Sequence, residues 1–137
     1  MTSISEKASI LHRSARKQQP TAQFSTTEDY DLESAYKVQH ELIKHRVDEG
    51  NNIVGVKMGF TSHAKMEQMG VSDMIIGQLT ADMQLDANTP LNTSECCHPR
   101  AEPEIAFRLS KDIEGVLDAQ EVLDYVNGVA SAIEVID

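Results

Sequence analysis

The sequence predicts an α+β protein, with helices in the first third of the chain and strands in most of the remainder. Residues 3–19 and 31–49 repeat apolar side chains at the three- and four-residue spacing of amphipathic helices. After residue 51 the apolar runs are short and are bounded by glycine or polar turns, as strands are. This pattern predicts a helical region over residues 1–50 and the first part of a β-rich domain over residues 51–137.

Both long helices have recognisable ends. Ser3 is followed three residues later by Glu6, which is the capping-box pattern, and Pro20 ends the first helix. Asp31 caps the second helix and Gly50 closes it. The stripe of the second helix that we expect to be buried comprises Leu32, Ala35, Tyr36, Gln39, Leu42, Ile43 and Val47.

A strand, a glycine and a helix start follow one another around residue 60. The apolar run 52–58 predicts a strand, and Thr61 or Ser62 caps a short helix over residues 63–69. Gly59 between them lets the backbone approach a ligand closely. A helix N-terminus beside such a glycine could hold an anion such as a substrate carboxylate, although a simply capped helix has the same pattern.

The last third of the chain predicts two strands separated by a helix. Ile105 to Leu109 has the composition of a buried strand. Asp118 and Glu121 repeat the capping pattern before a helix expected over residues 119–127. An apolar run then closes the chain as a strand.

Three glutamates in this last third predict a metal site. Glu102 and Glu104 stand two residues apart, so an extended chain aims both at one face. Glu134 lies in an otherwise apolar run, where a buried carboxylate needs a partner or a metal. Carboxylate oxygens suit Mg, Mn or Ca, and three ligands leave coordination positions open for substrate. A solvated acidic loop is the alternative reading of the first pair.

The overall composition excludes several classes of protein. Twelve Lys and Arg against 22 Asp and Glu give a net charge of −10, which argues against nucleic acid and anionic membranes as partners. The apolar runs are too short to span a bilayer, and the first twenty residues lack the apolar segment of a secretory signal. Cys96 and Cys97 are adjacent and form no disulfide framework, so we expect a cytoplasmic protein.

Several motifs, taken together and in order, resemble the fumarylacetoacetate hydrolase superfamily, and within it the hydratase and decarboxylase branch. They occupy residues 57–62, which read Lys-Met-Gly-Phe-Thr-Ser, and residues 64–71, 98–107 and 132–137. The resemblance runs from about the second helix to the last residue but covers only the first half of a family member. It therefore implies a truncated, barrel-like β-structure with the helices packed on it.

The resemblance also implies roles for individual residues. Lys57 is expected to be catalytic, and Mg²⁺ or Mn²⁺ is expected as the cofactor. The metal ligands implied are Glu102, Glu104 and Glu134. The substrate is expected to contact Gly59, Thr61, Ser62, Ile75 and Leu79.

The residue at position 75 favours one reaction of this branch over the other. Hydratase members carry an aspartate there, whereas this chain has Ile75. Hydration needs a group that positions water, whereas an apolar wall favours loss of a carboxylate. We therefore expect a carboxy-lyase that converts 4-oxalocrotonate (2-oxo-3-hexenedioate) to 2-hydroxypenta-2,4-dienoate in the meta-cleavage catabolism of aromatic compounds.

Two alternatives stay open at this point. One is the hydro-lyase that hydrates 2-oxopent-4-enoate, and the other is an inactive fragment or interaction module of such an enzyme. The expected partner is a small 2-oxo acid. We also expect a homo-oligomer, with a complex with the related hydratase as a further alternative, and little activity from the 137 residues alone.

Overall fold

The fold is α+β, as predicted, with three α-helices and two antiparallel hairpins in residues 2–137, which this computed structural model describes. None of these helices has the length and hydropathy of a transmembrane span. The chain divides into two compact units, Met1–Asn92 and Thr93–Asp137. The helices are α1 (Ile4–Lys17), α2 (Leu32–Asp48) and α3 (His63–Met69). The strands are β1 (Ile53–Gly59), β2 (Ile75–Thr80), β3 (Arg100–Leu109) and β4 (Val126–Ile136).

Side-chain caps start all three helices. The Ser3 hydroxyl accepts a hydrogen bond from the Glu6 N–H at 3.2 Å, and the Asp31 carboxylate accepts from the Ser34 N–H at 2.7 Å. Ser62, rather than Thr61, caps α3. Each cap satisfies a backbone donor that the first turn of a helix leaves without an intrahelical partner. These local signals explain why the helix starts could be predicted.

The core of the first unit lies between α1 and α2, and it is smaller than the sequence predicts. Ala8, Val38 and Ile43 are the buried apolar side chains among the described residues. Leu32 and Val47, which were expected in the buried stripe, are 64% and 42% exposed. Periodicity defines an apolar face of a helix, but the packing of α1 decides which part of that face is covered.

The second unit is a hairpin of β3 and β4. The predicted strand over Ile105 to Leu109 forms, but the prediction that it is buried is wrong, because every residue of β3 is exposed. Its apolar side chains lie on one face of a two-stranded ribbon, and such a ribbon has no second layer within its own unit. Ile105 and Phe107 are accordingly 66% and 60% exposed.

The helix expected over residues 119–127 is also a wrong prediction. Asp118 and Glu121 do form the reciprocal capping bonds, at 2.9 Å in both directions. Only a short 3₁₀ helix, Glu121–Tyr125, follows them. The Tyr125 carbonyl accepts a hydrogen bond from the Ser110 N–H at 2.8 Å, so pairing across the hairpin replaces the next helical turn.

A buried lysine joins α1 to the connection that follows it. The Lys7 ammonium lies 2.7 Å from the Glu28 carboxylate and 4.9 Å from the centre of the Tyr30 ring. The Thr2 N–H donates to the same carboxylate at 3.0 Å. The hydrogen bond from Lys7, followed by that from Thr2, lowers the pKa of Glu28 from its ordinary 4.5 to about 2.

This lowered pKa predicts a specific loss of stability in acid. A carboxyl group that binds protons less readily in the folded state favours unfolding as the pH falls. The contribution of Glu28 should be complete above pH 4.5 and should disappear as the pH falls towards about 2. Thermal melts should show a melting temperature lower by roughly 5 °C for Glu28→Gln at neutral pH. The difference from wild type should close in acid.

A matched variant is Glu33→Gln, which breaks the exposed pair between Glu33 and Lys37. Exposed pairs of this kind contribute little, so its melting temperature should stay near that of wild type. Equal effects of the two substitutions at neutral pH would contradict a special role for the Lys7–Glu28 pair.

Candidate metal centre

The β3–β4 hairpin brings the three predicted metal ligands together. Glu102 pairs with Glu134, and Glu104 pairs with Ala132. Residues directly opposite each other in an antiparallel pair share a face, as do residues two apart on one strand. The register therefore gathers all three carboxylates on one face of the hairpin.

The geometry of this cluster suits a divalent cation. One carboxylate oxygen from each of Glu102, Glu104 and Glu134 lies within 4.8 Å of the other two. Glu102 and Glu104 are exposed and Glu134 is half-buried. Two oxygens on opposite sides of one ion are about 4 Å apart for Mg²⁺ and about 5 Å apart for Ca²⁺. The cluster fits such an ion with small side-chain adjustments and consists only of hard oxygen donors.

The residues before β3 are tied to the end of β4 by a contact that sequence reasoning missed. The Asp137 carboxylate accepts hydrogen bonds from the Cys97 N–H at 2.8 Å and the His98 N–H at 2.5 Å. The hydrogen bond from Cys97, which has the larger effect, and that from His98 both lower the pKa of Asp137. Asp137 lies 39 and 40 residues from its partners, so no local pattern could reveal the contact. It closes the end of the hairpin nearest the carboxylates.

Four of the other predicted site residues share one face of the β1–β2 hairpin. Lys57 pairs with Gly77, Gly59 pairs with Ile75, and Leu79 pairs with Gly55. Alternation along the two strands places these side chains on the same side. The other face of the hairpin carries apolar side chains such as Val56, which is 63% exposed. Lys57 and three of the five substrate-binding residues implied by the resemblance therefore lie on one face of the β1–β2 hairpin.

The turn after β1 has the predicted helix cap and one backbone conformation that the sequence does not indicate. Phe60 has a φ of 59°, in the left-handed region that aromatic residues rarely adopt, although Gly59 beside it is the residue suited to that region. The Ser62 hydroxyl accepts the Lys65 N–H at 3.2 Å. Part of the hydrogen-bonding capacity of Ser62 is therefore used by the helix cap, and Thr61 does not cap α3.

The predicted residues fall into two groups, one in each unit. Lys57, Gly59, Thr61, Ser62, Ile75 and Leu79 belong to the first, and the glutamates belong to the second. Sequence reasoning missed Tyr36 and Gln39 of α2, which bind the backbone of Ile76. Their only signal in the sequence was membership of the apolar stripe of α2.

Comparison with known proteins finds relatives along nearly the whole chain. A 4-oxalocrotonate decarboxylase of a Pseudomonas species is 42% identical over 134 residues, which are 98% of this chain and 52% of that protein. A 2-keto-4-pentenoate hydratase of Paraburkholderia xenovorans is 31% identical over 133 residues, 96% of this chain and 49% of that protein. A comparison with models of protein families finds none that matches.

Solved structures give the same result. The 4-oxalocrotonate decarboxylase of Pseudomonas putida is known in complex with calcium and acetate and in complex with magnesium and adipate. The TM-scores are 0.91 and 0.89 at 29% identity, covering 98% of this chain and 52% of the other. The chain thus spans about half the length of the relatives it matches. The predicted resemblance to 4-oxalocrotonate decarboxylases and the related hydratases is therefore confirmed, and the two decarboxylases described above are each similar to 98% of this chain.

Proposed function

We propose that this chain forms the metal-binding part of a decarboxylase that converts 4-oxalocrotonate to 2-hydroxypenta-2,4-dienoate. The observation that carries the proposal is the convergence of Glu102, Glu104 and Glu134 on one face of a hairpin. The similar decarboxylase of Pseudomonas putida supports it, because that protein is complexed with calcium or magnesium. In the magnesium complex the other ligand is adipate, which is a six-carbon dicarboxylate, as 4-oxalocrotonate is.

The three glutamates would hold Mg²⁺ or Mn²⁺ and leave part of its coordination shell to the substrate. A divalent ion in this position supplies Lewis-acid chemistry, which lowers the cost of negative charge on the 2-keto group. In the reaction, the bond between C5 and C6 breaks and the C6 carboxylate leaves as CO₂. The electron pair passes through the conjugated chain to the 2-oxygen, and a proton on that oxygen completes the product.

Lys57 is our proposed catalytic residue. An ammonium group can stabilise the negative charge that develops on the substrate, and it can also deliver a proton. The remaining substrate contacts that we propose are Gly59, Thr61, Ser62, Ile75 and Leu79. Ile75 would face the departing carboxylate, because an apolar side chain solvates a carboxylate poorly and favours its loss as neutral CO₂.

The larger architecture is part of the same proposal. We infer that residues 1–50 form a helical region and that residues 51–137 begin a catalytic domain. In this domain the two hairpins would contribute to a barrel-like β-structure. Assembly into a homo-oligomer and a complex with the related hydratase remain proposals. A cytoplasmic setting remains a prediction that rests on Cys96 and Cys97, both of which are free thiols.

Hydration of the dienoate is the second candidate, since the hydratase of Paraburkholderia xenovorans is 31% identical to this chain. Both reactions use a 2-oxo acid or its enol form, and the same metal could serve either. Ile75 favours the decarboxylase, because it has no polar group with which to hold a water molecule.

The test uses a full-length protein, by which we mean these 137 residues followed by the second half that the relatives have. With Mg²⁺ it should release CO₂ from 4-oxalocrotonate, measured as the loss of substrate absorbance and as trapped CO₂. Chelation by EDTA should lower the rate by roughly a thousandfold or more, since several kcal/mol of charge stabilisation is lost. Undiminished turnover in EDTA would contradict the proposal.

A further inference from the structure

Two side chains of α2 bind the backbone of β2 at a single residue. The Tyr36 hydroxyl accepts a hydrogen bond from the Ile76 N–H at 3.1 Å. The Gln39 side-chain amide donates to the Ile76 carbonyl, also at 3.1 Å. Tyr36 and Gln39 are three residues apart and therefore lie on the same face of the helix. Together they occupy both main-chain polar groups of Ile76.

These two hydrogen bonds hold the edge of β2 that does not pair with β1. The N–H and C=O of one residue in an antiparallel ladder point the same way, and the direction alternates along the strand. Because the groups of Ile76 point to α2, the backbone groups of Ile75 and Gly77 point to β1. There they lie opposite Gly59 and Lys57 respectively. The position of β2 on α2 therefore sets the residues that face Lys57.

The Lys57 side chain packs closely against the backbone of Gly77. A Cβ atom added at Gly77 would lie 3.0 Å from Cγ and 3.4 Å from Cδ of Lys57. Gly59 has the same relation to Ile75, since a Cβ atom added there would lie 2.8 Å from Cγ1 and 3.1 Å from Cδ1. Each side chain lies flat across a glycine of the neighbouring strand. A small shift of β2 would therefore move both Lys57 and Ile75.

We propose that Tyr36 and Gln39 are positioning residues, which hold Lys57 and Ile75 in place through the backbone of Ile76. The catalytic consequence of this role rests on the function proposed above, but the geometric role does not. The two can therefore be tested separately, the first by turnover and the second by spectroscopy on the 137-residue chain.

The spectroscopic test compares wild type with Tyr36→Phe combined with Gln39→Glu, two substitutions that preserve side-chain shape. Wild type should show nuclear Overhauser effects between the Lys57 γ-methylene and the Gly77 α-protons. The double variant should weaken them. It should also increase the hydrogen exchange rate of the Ile76 amide about tenfold, because that N–H loses its hydrogen bond to the Tyr36 hydroxyl. Tyr30→Phe is the matched control, because its hydroxyl bonds Ser34 within the helical region, and both signals should stay at the wild-type level.

A pH titration separates positioning from a general loss of structure. The carboxylate introduced by Gln39→Glu cannot donate a hydrogen bond, but its protonated form can. In that single variant the Lys57–Gly77 signals should be weaker than in wild type at neutral pH and should recover as the pH falls through about 4.3. Signals that remain weak in acid, or wild-type signals in the double variant, would overturn the proposal. If the double variant fails to fold, Tyr36→Phe alone replaces it, and wild-type Lys57–Gly77 signals together with wild-type exchange of the Ile76 amide would also overturn the proposal.

Turnover of the full-length protein completes the experiment. The double variant should lower kcat about tenfold and leave KM within about twofold, since misplacement of a catalytic group costs rate rather than binding. An inactive wild type with the expected spectra would contradict the proposed function and leave the positioning role intact. An active wild type whose kcat is unaffected by the double variant would overturn the catalytic part of the positioning proposal.

Discussion

Glu102→Gln should abolish magnesium- or manganese-dependent turnover of the full-length protein while leaving the protein folded. The substitution keeps the shape of the side chain but removes one negative charge from a three-carboxylate cluster. Glu102 is exposed on its hairpin, so its removal costs no core packing within this unit. We expect turnover to fall by roughly a thousandfold, because the Lewis acid contributes several kcal/mol of charge stabilisation. CO₂ release and circular dichroism measure the two parts of this prediction.

The matched control is Glu114→Gln, in the exposed connection between β3 and β4. It removes the same charge from the same unit but lies outside the cluster. Its turnover should equal that of wild type. Turnover at the wild-type level in Glu102→Gln would disprove the metal-site assignment, whereas equal losses in both variants would indicate a general effect of charge.

Ile75→Asp should lower decarboxylation by about a hundredfold and should introduce some hydration of 2-hydroxypenta-2,4-dienoate. Both reactions share the metal ligands, so discrimination must come from groups around the far end of the substrate. An aspartate can hold and activate a water molecule, whereas Ile75 cannot. The aspartate also repels the departing carboxylate, and a hundredfold loss of rate corresponds to about 2.7 kcal/mol of activation free energy. Product analysis by chromatography with each substrate in turn distinguishes the reactions.

Val56→Asp is the control for this change, because it adds the same carboxylate to the other face of the β1–β2 hairpin. It should leave the ratio of the two reactions unchanged. If the unmutated protein hydrates the dienoate efficiently and leaves 4-oxalocrotonate intact, the decarboxylase proposal fails and the hydratase takes its place.

The sequence predicts local features well, because their causes are local. Ser3 and Asp31 satisfy backbone donors three residues away, so the helix starts could be predicted from short patterns. The shared direction of Glu102 and Glu104 follows from the period of a strand. Glu134 joins this pair only if the last strand pairs with β3 in the right register. The observed register places Glu134 opposite Glu102.

Features that depend on distant partners could not be predicted in the same way. Tyr36 and Gln39 bind Ile76 across 40 and 37 residues, and Lys7 meets Glu28 across 21. None of these pairs has a spacing that a short pattern can reveal. The helix expected after Asp118 failed for a related reason, because the capping bonds formed but pairing across the hairpin determined what followed them.

The most direct test of the central claim is to locate a bound divalent ion on the 137-residue chain. Mn²⁺ broadens the nuclear magnetic resonance signals of residues close to it, and substoichiometric addition identifies the preferred site. We predict selective broadening at Glu102, Glu104 and Glu134 and their strand neighbours, which excess Mg²⁺ should reverse. Broadening centred on other acidic residues, or spread evenly over the surface, would contradict the account.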